Sequence, residues 1–225
     1  MSGAPTRILL ADDQDDVRSG FRLVLDSQPD MTVIGEAADG ATALDLVRHL
    51  RPDVVLADIR MPRLDGLELT RLLAGPQATR PTRVVVVTTF DLDDYVHTAL
   101  HNGACGFLLK RSGPTLLIEG VRAAMAGDAL ISPQITVRLL RRLSLPPARP
   151  HPTTPTTPDT LTDREREIVR LVARGSTNQE IATELVISPG TAKTHLANIQ
   201  SKLKVRNRVE IAAWAWQTGL IPPAP

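Results

Sequence analysis

The chain has 225 residues, 42% of them apolar and only 3% aromatic, enough to bury ordinary aliphatic cores in one or two domains. Its net charge of +1 gives no whole-chain sign of nucleic-acid binding, and the one cysteine, Cys105, excludes an internal disulfide or a thiolate metal cluster. No apolar run approaches the roughly 18 to 20 residues of a membrane span and Met1–Arg7 does not read as a signal peptide, so a cytoplasmic protein with no membrane contact is expected. The charge is uneven along the chain. Residues 1–66 carry twelve acids against seven Lys and Arg, whereas residues 175–208 carry two acids against five Lys and Arg plus His195. An acidic site in the first half and a polyanion-binding surface in the second are expected.

Arg7 to Ala11, RILLA, is a short apolar strand that runs into Asp12-Asp13-Gln14-Asp15-Asp16, after which Val17, Phe21, Val24 and Leu25 recur at helical spacing. Clustered carboxylates at a strand-to-helix turn repel phosphate, which disfavours a dinucleotide fold and suits a hard cation. Asp13 or Asp15 could instead cap the helix, but four acids in five residues exceed what a cap requires. Met31–Ala37 reads as a second strand and Gly40–Leu50 as a helix. Val54–Asp58 is a third strand, continuously apolar as in a parallel sheet covered on both faces, and it ends on a single carboxylate before Pro62 and the Asp65-Gly66 turn. The rhythm continues through a helix at Gly66–Leu73, the strand VVVV ending in Thr88-Thr89, a helix near Asp93–His101, the strand GFLLK and a helix at Thr115–Gly127.

Right-handed crossovers would bring Asp12, Asp13, Asp58, Thr88 and Lys110 to one edge of this sheet. Three carboxylates there match Mg²⁺. With its charge partly neutralised, Asp58 could attack a phosphoryl group, Lys110 could balance the phosphoryl charge and the Thr88 hydroxyl could donate to a phosphoryl oxygen. Singly, Lys110 reads as a solvated strand end and Thr88 as an ordinary β-branched strand residue; together at successive strand ends they read as a site.

LLADDQ, LADIRMPRLDG, VVVVTTFD and GACGFLLK resemble the receiver domain of bacterial response regulators, from Arg7 to about Gly127. The resemblance implies a flavodoxin-like α/β fold with a five-stranded parallel sheet in the order 2-1-3-4-5. It also implies a phosphoryl group accepted on Asp58 from the histidine of a cognate sensor kinase. Asp12, Asp13, Asp58 and the Arg60 backbone carbonyl would then hold Mg²⁺. Thr88 becomes the switch hydroxyl, Lys110 the phosphate-pairing lysine and Phe107 the aromatic that changes rotamer.

Ser132–Leu143 places Ile135, Leu139, Leu140 and Leu143 on one helical face, a docking helix that completes the first domain or begins a linker; its Arg138, Arg141 and Arg142 read as a solvated face or a binding site. Leu145–Pro158 has six prolines in fourteen residues and no acids, so it should be extended and semi-rigid. Beyond it, Thr162 and Glu165 form a capping-box pattern for a helix ending near Gly175, Asn178 can cap a short helix, and Ser188 caps another with Pro189 at its first position. Two short helices joined by a tight turn describe a helix-turn-helix in a small all-α four-helix domain. The second presents Lys193, Thr194, His195, Asn198 and Lys202, while Ala192, Leu196, Ile199 and Leu203 hold it to the core.

The segment LTDREREIVRLVARGSTNQEIATELVISPGTAKTHLANIQSKLKVRNRVE resembles the LuxR-type DNA-binding domain, and its pairing with a receiver resembles the NarL/FixJ class. The implied domains are a receiver at 5–130, a docking helix and linker at 131–158 and the DNA-binding domain at 159–225. Lys193 and Thr194 would then face base edges, and His195, Lys202, Arg206 and Arg208 would meet phosphates of promoter DNA, with Asn198 on the same face. Lys204 stands where many members carry glycine. The last helix, near Arg208–Thr218, holds more apolar surface than a small core needs, and the resemblance makes Ile211, Trp214 and Ala215 the contact of a homodimer formed on activation; packing within the monomer is the alternative for Trp214. The leading expectation is a transcription regulator, not an enzyme. An aspartyl-phosphate phosphatase would need a second carboxylate two residues after Asp58, where Arg60 stands. A receiver-like regulator that works without phosphorylation is the other rival.

Overall fold

The computed structural model describes residues 4–89, 93–132, 135 and 161–220. They fall into two compact units. Apart from Ser132 and Ile135, the expected docking helix and all of the Leu145–Pro158 linker lie outside the described residues.

The first unit alternates strand and helix: β1 (Thr6–Ala11), α1 (Asp15–Asp26), β2 (Met31–Ala37), α2 (Gly40–Leu50), β3 (Val54–Ala57), α3 (Gly66–Ala74), β4 (Arg83–Thr88), α4 (Asp93–His101), β5 (Gly106–Leu109), α5 (Pro114–Ala126) and β6 (Leu130–Ile131). All pairings are parallel, in the order β2-β1-β3-β4-β5-β6. The sheet is therefore parallel α/β as expected, with six strands rather than five. The extra strand is only two residues long, pairing Leu130 and Ile131 with Gly106 and Phe107. A dipeptide carries no periodicity, so sequence pattern could not reveal it.

Successive strand residues divide the core between the two faces. Ile8, Leu10, Val54, Leu56, Val85 and Val87 pack with Leu25 of α1 and Leu117 and Val121 of α5. Their neighbours Leu9, Ala11, Val55, Ala57 and Val84 pack with Ala43 and Val47 of α2 and Leu69 and Leu73 of α3. Burial on both faces explains why β3 and β4 are apolar without alternation. Cys105 donates its thiol to the Val84 carbonyl at 3.2 Å, and burial pushes its pKa up to about 11, so it behaves as a packed, inert thiol.

Asp39 caps α2 by accepting from the Thr42 backbone N–H and the Thr42 hydroxyl, each at 2.9 Å, and it pairs with Arg63 in the loop after β3. Burial alone would raise the Asp39 pKa, but these donors outweigh it and bring it down to about 2. A depressed carboxylate pKa contributes stability that is present above its ordinary value near 4 and is lost as pH falls through the folded value. Asp39→Ala should therefore cost about 1 to 2 kcal/mol at pH 7, with the gap from wild type closing toward pH 2. Urea unfolding at the two pH values checks this; a gap independent of pH would contradict it.

The second unit is helical: α6 (Asp163–Ala173), α7 (Asn178–Glu184), α8 (Pro189–Leu203) and α9 (Arg208–Gln217). The Thr162 and Glu165 capping box is formed, and Ser188 caps α8 with Pro189 in the first turn. Asn178 does not cap α7. Thr177 does, in a second capping box with Glu180, and Asn178 is the first helical residue and is buried.

Candidate functional site

The carboxyl edge of the parallel sheet gathers side chains that are far apart in sequence. β1 ends at Ala11 and β3 at Ala57, adjacent and in register, so Asp12 and Asp58 emerge side by side. The backbone N–H of Asp58 donates to the Ala11 carbonyl at 2.8 Å, and that of Asp12 donates to Ala37 at 3.0 Å. Both carboxylates are almost fully buried. Asp13 is exposed, yet one oxygen from each of Asp12, Asp13 and Asp58 falls within 4.8 Å of the others. Neither Asp13 nor Asp15 caps α1. Its N-cap residue is Gln14, with no side-chain cap, and Asp12 Oδ1 accepts the Gln14 N–H at 3.0 Å.

Lys110 begins the turn of 3₁₀ helix that follows β5, and its side chain reaches back over the sheet edge. Its Nζ donates to Asp58 Oδ2 at 2.8 Å and lies 2.7 Å from Asp12 Oδ2. Burial works against the ammonium, but the two carboxylates outweigh it and hold the Lys110 pKa above its ordinary value. Burial raises the Asp12 pKa, only partly offset by Lys110 and the Gln14 N–H. Asp12 Oδ2 is buried without a hydrogen bond of good geometry to any partner. A buried anionic oxygen left in this state, beside two more carboxylates, fits a hard divalent cation that binds oxygen ligands.

Thr88 closes β4 and Phe107 lies in β5 opposite Val86; both side chains are fully buried. Arg60 is exposed, and its guanidinium reaches the Tyr95 hydroxyl of α4 at 3.4 Å. Gly66 is required by close approach: a Cβ there would stand 1.8 Å from the Asp58 carbonyl oxygen. This is the physical content of the Asp65-Gly66 signal, since the loop leaving Asp58 folds back onto its own backbone, with the Gly66 N–H donating to Ile59.

Three supporting residues escaped the sequence reading. Arg18 of α1 donates to the Asp12 carbonyl at 2.6 Å and pins the acidic turn. Arg63, held by Asp39, fixes the loop after Asp58. Ser132, fully buried, receives the Leu109 N–H at 3.0 Å on its hydroxyl and so steadies the residue before Lys110. An arginine one turn into a helix that follows an acidic loop is a usable signal; a serine after a two-residue strand offers none.

In the helical unit, α8 buries Ala192, Leu196 and Ile199 and exposes Lys193, Thr194, Ala197 and Asn198, with His195 half-buried. The Thr194 hydroxyl donates back to the Gly190 carbonyl at 3.0 Å. Lys202 is directed elsewhere: its Nζ meets Glu165 Oε2 at 2.7 Å, and Glu165 is buried, so this lysine ties α8 to the cap of α6. Arg206 pairs with Glu210 at 3.6 Å. Arg208 turns inward, donating to the Ser176 carbonyl and, at 3.4 Å, to Asn178 Oδ1. The exposed face thus holds Lys193, Thr194, Asn198 and Lys202, the last with its ammonium also paired to Glu165, while Arg208 serves the packing of its own unit.

The expected protomer contact needs correction. Ile211 and Ala215 are fully buried in the core with Ile168, Val172 and Ile199, because α9 packs its apolar stripe against α6, so they offer no surface. Trp214 is only partly buried there. Lys204 closes α8 in the left-handed region, with φ of 56°, which explains why glycine suits this place. Val186, in the turn between α7 and α8, has φ of 54° and is 90% exposed, a strained setting for a β-branched residue.

Residues 8–122 match the response regulator receiver domain, and residues 159–215 match the luxR family of bacterial regulatory proteins. The transcriptional regulatory protein LiaR of Bacillus subtilis (strain 168) is 39% identical over 217 residues, 96% of this chain and 99% of that protein. The nitrate/nitrite response regulator protein NarL of Escherichia coli (strain K12) is 37% identical over 213 residues, 95% of this chain and 96% of that protein. The crystal structure of ChrA, the response regulator of a heme-sensing two-component system, aligns with a TM-score of 0.53 at 37% identity, covering 97% of this chain and all of that one.

Proposed function

Because the chain belongs to the two-component response regulators that join a receiver domain to a LuxR-family DNA-binding domain, we propose that it binds promoter DNA under the control of a phosphoryl group that Asp58 accepts from a sensor kinase. On this reading residues 5–130 are the receiver, 131–158 the connector and 159–225 the DNA-binding domain. The observation that carries it is the Lys110 ammonium set 2.8 Å from Asp58 and 2.7 Å from Asp12 at the sheet edge where three carboxylates converge. An Asp58 oxygen forms the new O–P bond as the P–N bond of the kinase's phosphohistidine breaks, and the imidazole departs with the electron pair. Asp12, Asp13, Asp58 and the Arg60 carbonyl would hold Mg²⁺, which supplies charge neutralisation for the incoming phosphoryl oxygens.

Lys110 then pairs with the added charge of roughly −1.5 to −2. The Thr88 hydroxyl donates to a phosphoryl oxygen, and the Phe107 ring follows into the space that Thr88 leaves. The same family membership supports a homodimer on activation. With Ile211 and Ala215 in the core, Trp214 is the one of those three residues that keeps surface to contribute to its contact.

Lys193 reads base edges and the half-buried His195 and the Arg206 region meet phosphates, with Thr194 and Asn198 on the same exposed face. Footprinting on genomic fragments tests this function, with the protein treated with a small-molecule phosphodonor and Mg²⁺. Protection should strengthen on treatment in wild type and not in Asp58→Asn. Lys193→Ala should cost about 1 to 3 kcal/mol and relax specificity. A Lys193→Ala loss equal on all sequences would remove the base-reading role, and protection that ignores the phosphodonor would remove the switch.

A further inference from the structure

We propose that His97 and His101 form a binding site on α4 for a late first-row divalent cation such as Zn²⁺, Ni²⁺ or Cu²⁺, separate from the carboxylate pocket. The two residues are four apart on a helix and therefore one above the other on the same face. Both are exposed. Their rings lie nearly parallel, at 10°, with centroids 6.2 Å apart.

Two imidazoles on one cation, with metal–nitrogen bonds of about 2.0 to 2.1 Å and coordination angles of about 90° to 110°, place their ring centroids about 4.5 to 5.5 Å apart. The observed pair is wider than that by roughly 1 to 2 Å and its parallel rings must turn toward a common point, a closure that χ1 and χ2 rotation of two exposed side chains supplies. Neutral imidazole is a borderline ligand that prefers Zn²⁺, Ni²⁺ and Cu²⁺ over Mg²⁺, so the donor type itself separates this site from Asp12, Asp13 and Asp58. Water completes the coordination, as an exposed pair on a helix surface allows. A cation held across successive turns braces a helix that begins five residues beyond Thr88.

Calorimetric titration of the full chain with Ni²⁺ in excess Mg²⁺, which keeps the carboxylate pocket filled, tests the assignment. Wild type should show Ni²⁺ binding in the micromolar range, and His97→Gln or His101→Gln should weaken it at least tenfold, because a chelating pair becomes a single ligand. Asp13→Asn should leave this binding unchanged. Circular dichroism confirms that each variant keeps its fold, and Cu²⁺ broadening of the His97 and His101 ring resonances in the unaltered protein reads the site without any substitution. Ni²⁺ binding that survives both histidine variants, or that disappears in Asp13→Asn, or Cu²⁺ broadening confined to other histidines, would overturn the proposal.

Discussion

Lys110→Ala should destabilise the receiver by about 3 kcal/mol at pH 7, because it leaves two buried carboxylates without their counter-charge. The Lys110, Asp12 and Asp58 side chains are 8%, 4% and 4% exposed, so water cannot replace the ammonium. Breaking such an arrangement from one side costs more than the pair itself contributes, since the desolvation of the remaining charges is then unrelieved. The pH dependence has a definite sign. The Lys110 pKa is raised in the folded chain, so its contribution is fully present below the ordinary value of 10.5 and is lost as pH rises through the higher folded value. Denaturation at pH 7 and at pH 11 should show the wild-type advantage shrinking at the alkaline end. Millimolar Mg²⁺ should return part of the loss. A variant as stable as wild type at pH 7 in EDTA would mean that the ammonium does not hold the two carboxylates together.

Asp12→Asn should act in the opposite direction. The Asp12 carboxylate is penalised by burial, its pKa is raised, and its Oδ2 lacks a well-made hydrogen bond, so its charge is a cost to the metal-free fold. Asparagine keeps an Oδ1 acceptor for the Gln14 N–H and removes the charge. In EDTA the variant should gain on the order of 1 kcal/mol, which in a domain of this size is a few degrees in Tm. A raised carboxylate pKa means the penalty is absent below the ordinary value of 3.8 and grows as pH rises through the folded value, so the gain should appear between acidic and neutral pH. In millimolar Mg²⁺ the order should reverse, because wild type gains binding energy through linkage and the variant has lost a ligand. Differential scanning calorimetry with and without Mg²⁺ reads both halves; equal Mg²⁺ gains in the two proteins would exclude Asp12 as a ligand.

Legibility in the sequence followed the physics of each signal. β2, α2 and α4 appear with the expected residue ranges, and α2 shows why: Ala43 and Val47 recur at helical spacing behind the Asp39 cap. The convergence of Asp12, Asp58 and Lys110 was legible because a parallel sheet with right-handed crossovers sends every strand's carboxyl end to one edge. Contacts made by long flexible side chains were not. Arg208 looks like a surface cation in the sequence, yet the Ser176 carbonyl engages it inside its own unit, and the exposed Lys202 is tied to Glu165 across two helices, a pairing no sequence spacing announces. Ile211 and Ala215 looked like surplus apolar surface because the need of the α6 core for a fourth wall is a three-dimensional property. Asn178 was misplaced by one residue, since Thr177 competes for the same cap and wins through its reciprocal bond with Glu180.

The central claim is that Asp58 accepts the phosphoryl group, and mass spectrometry after treatment with a small-molecule phosphodonor tests it most directly. With Mg²⁺ the chain should carry one phosphoryl group, located to Asp58, and Asp58→Asn or excess EDTA should abolish it. Label that persists in Asp58→Asn, or that forms equally well in EDTA, would contradict the account.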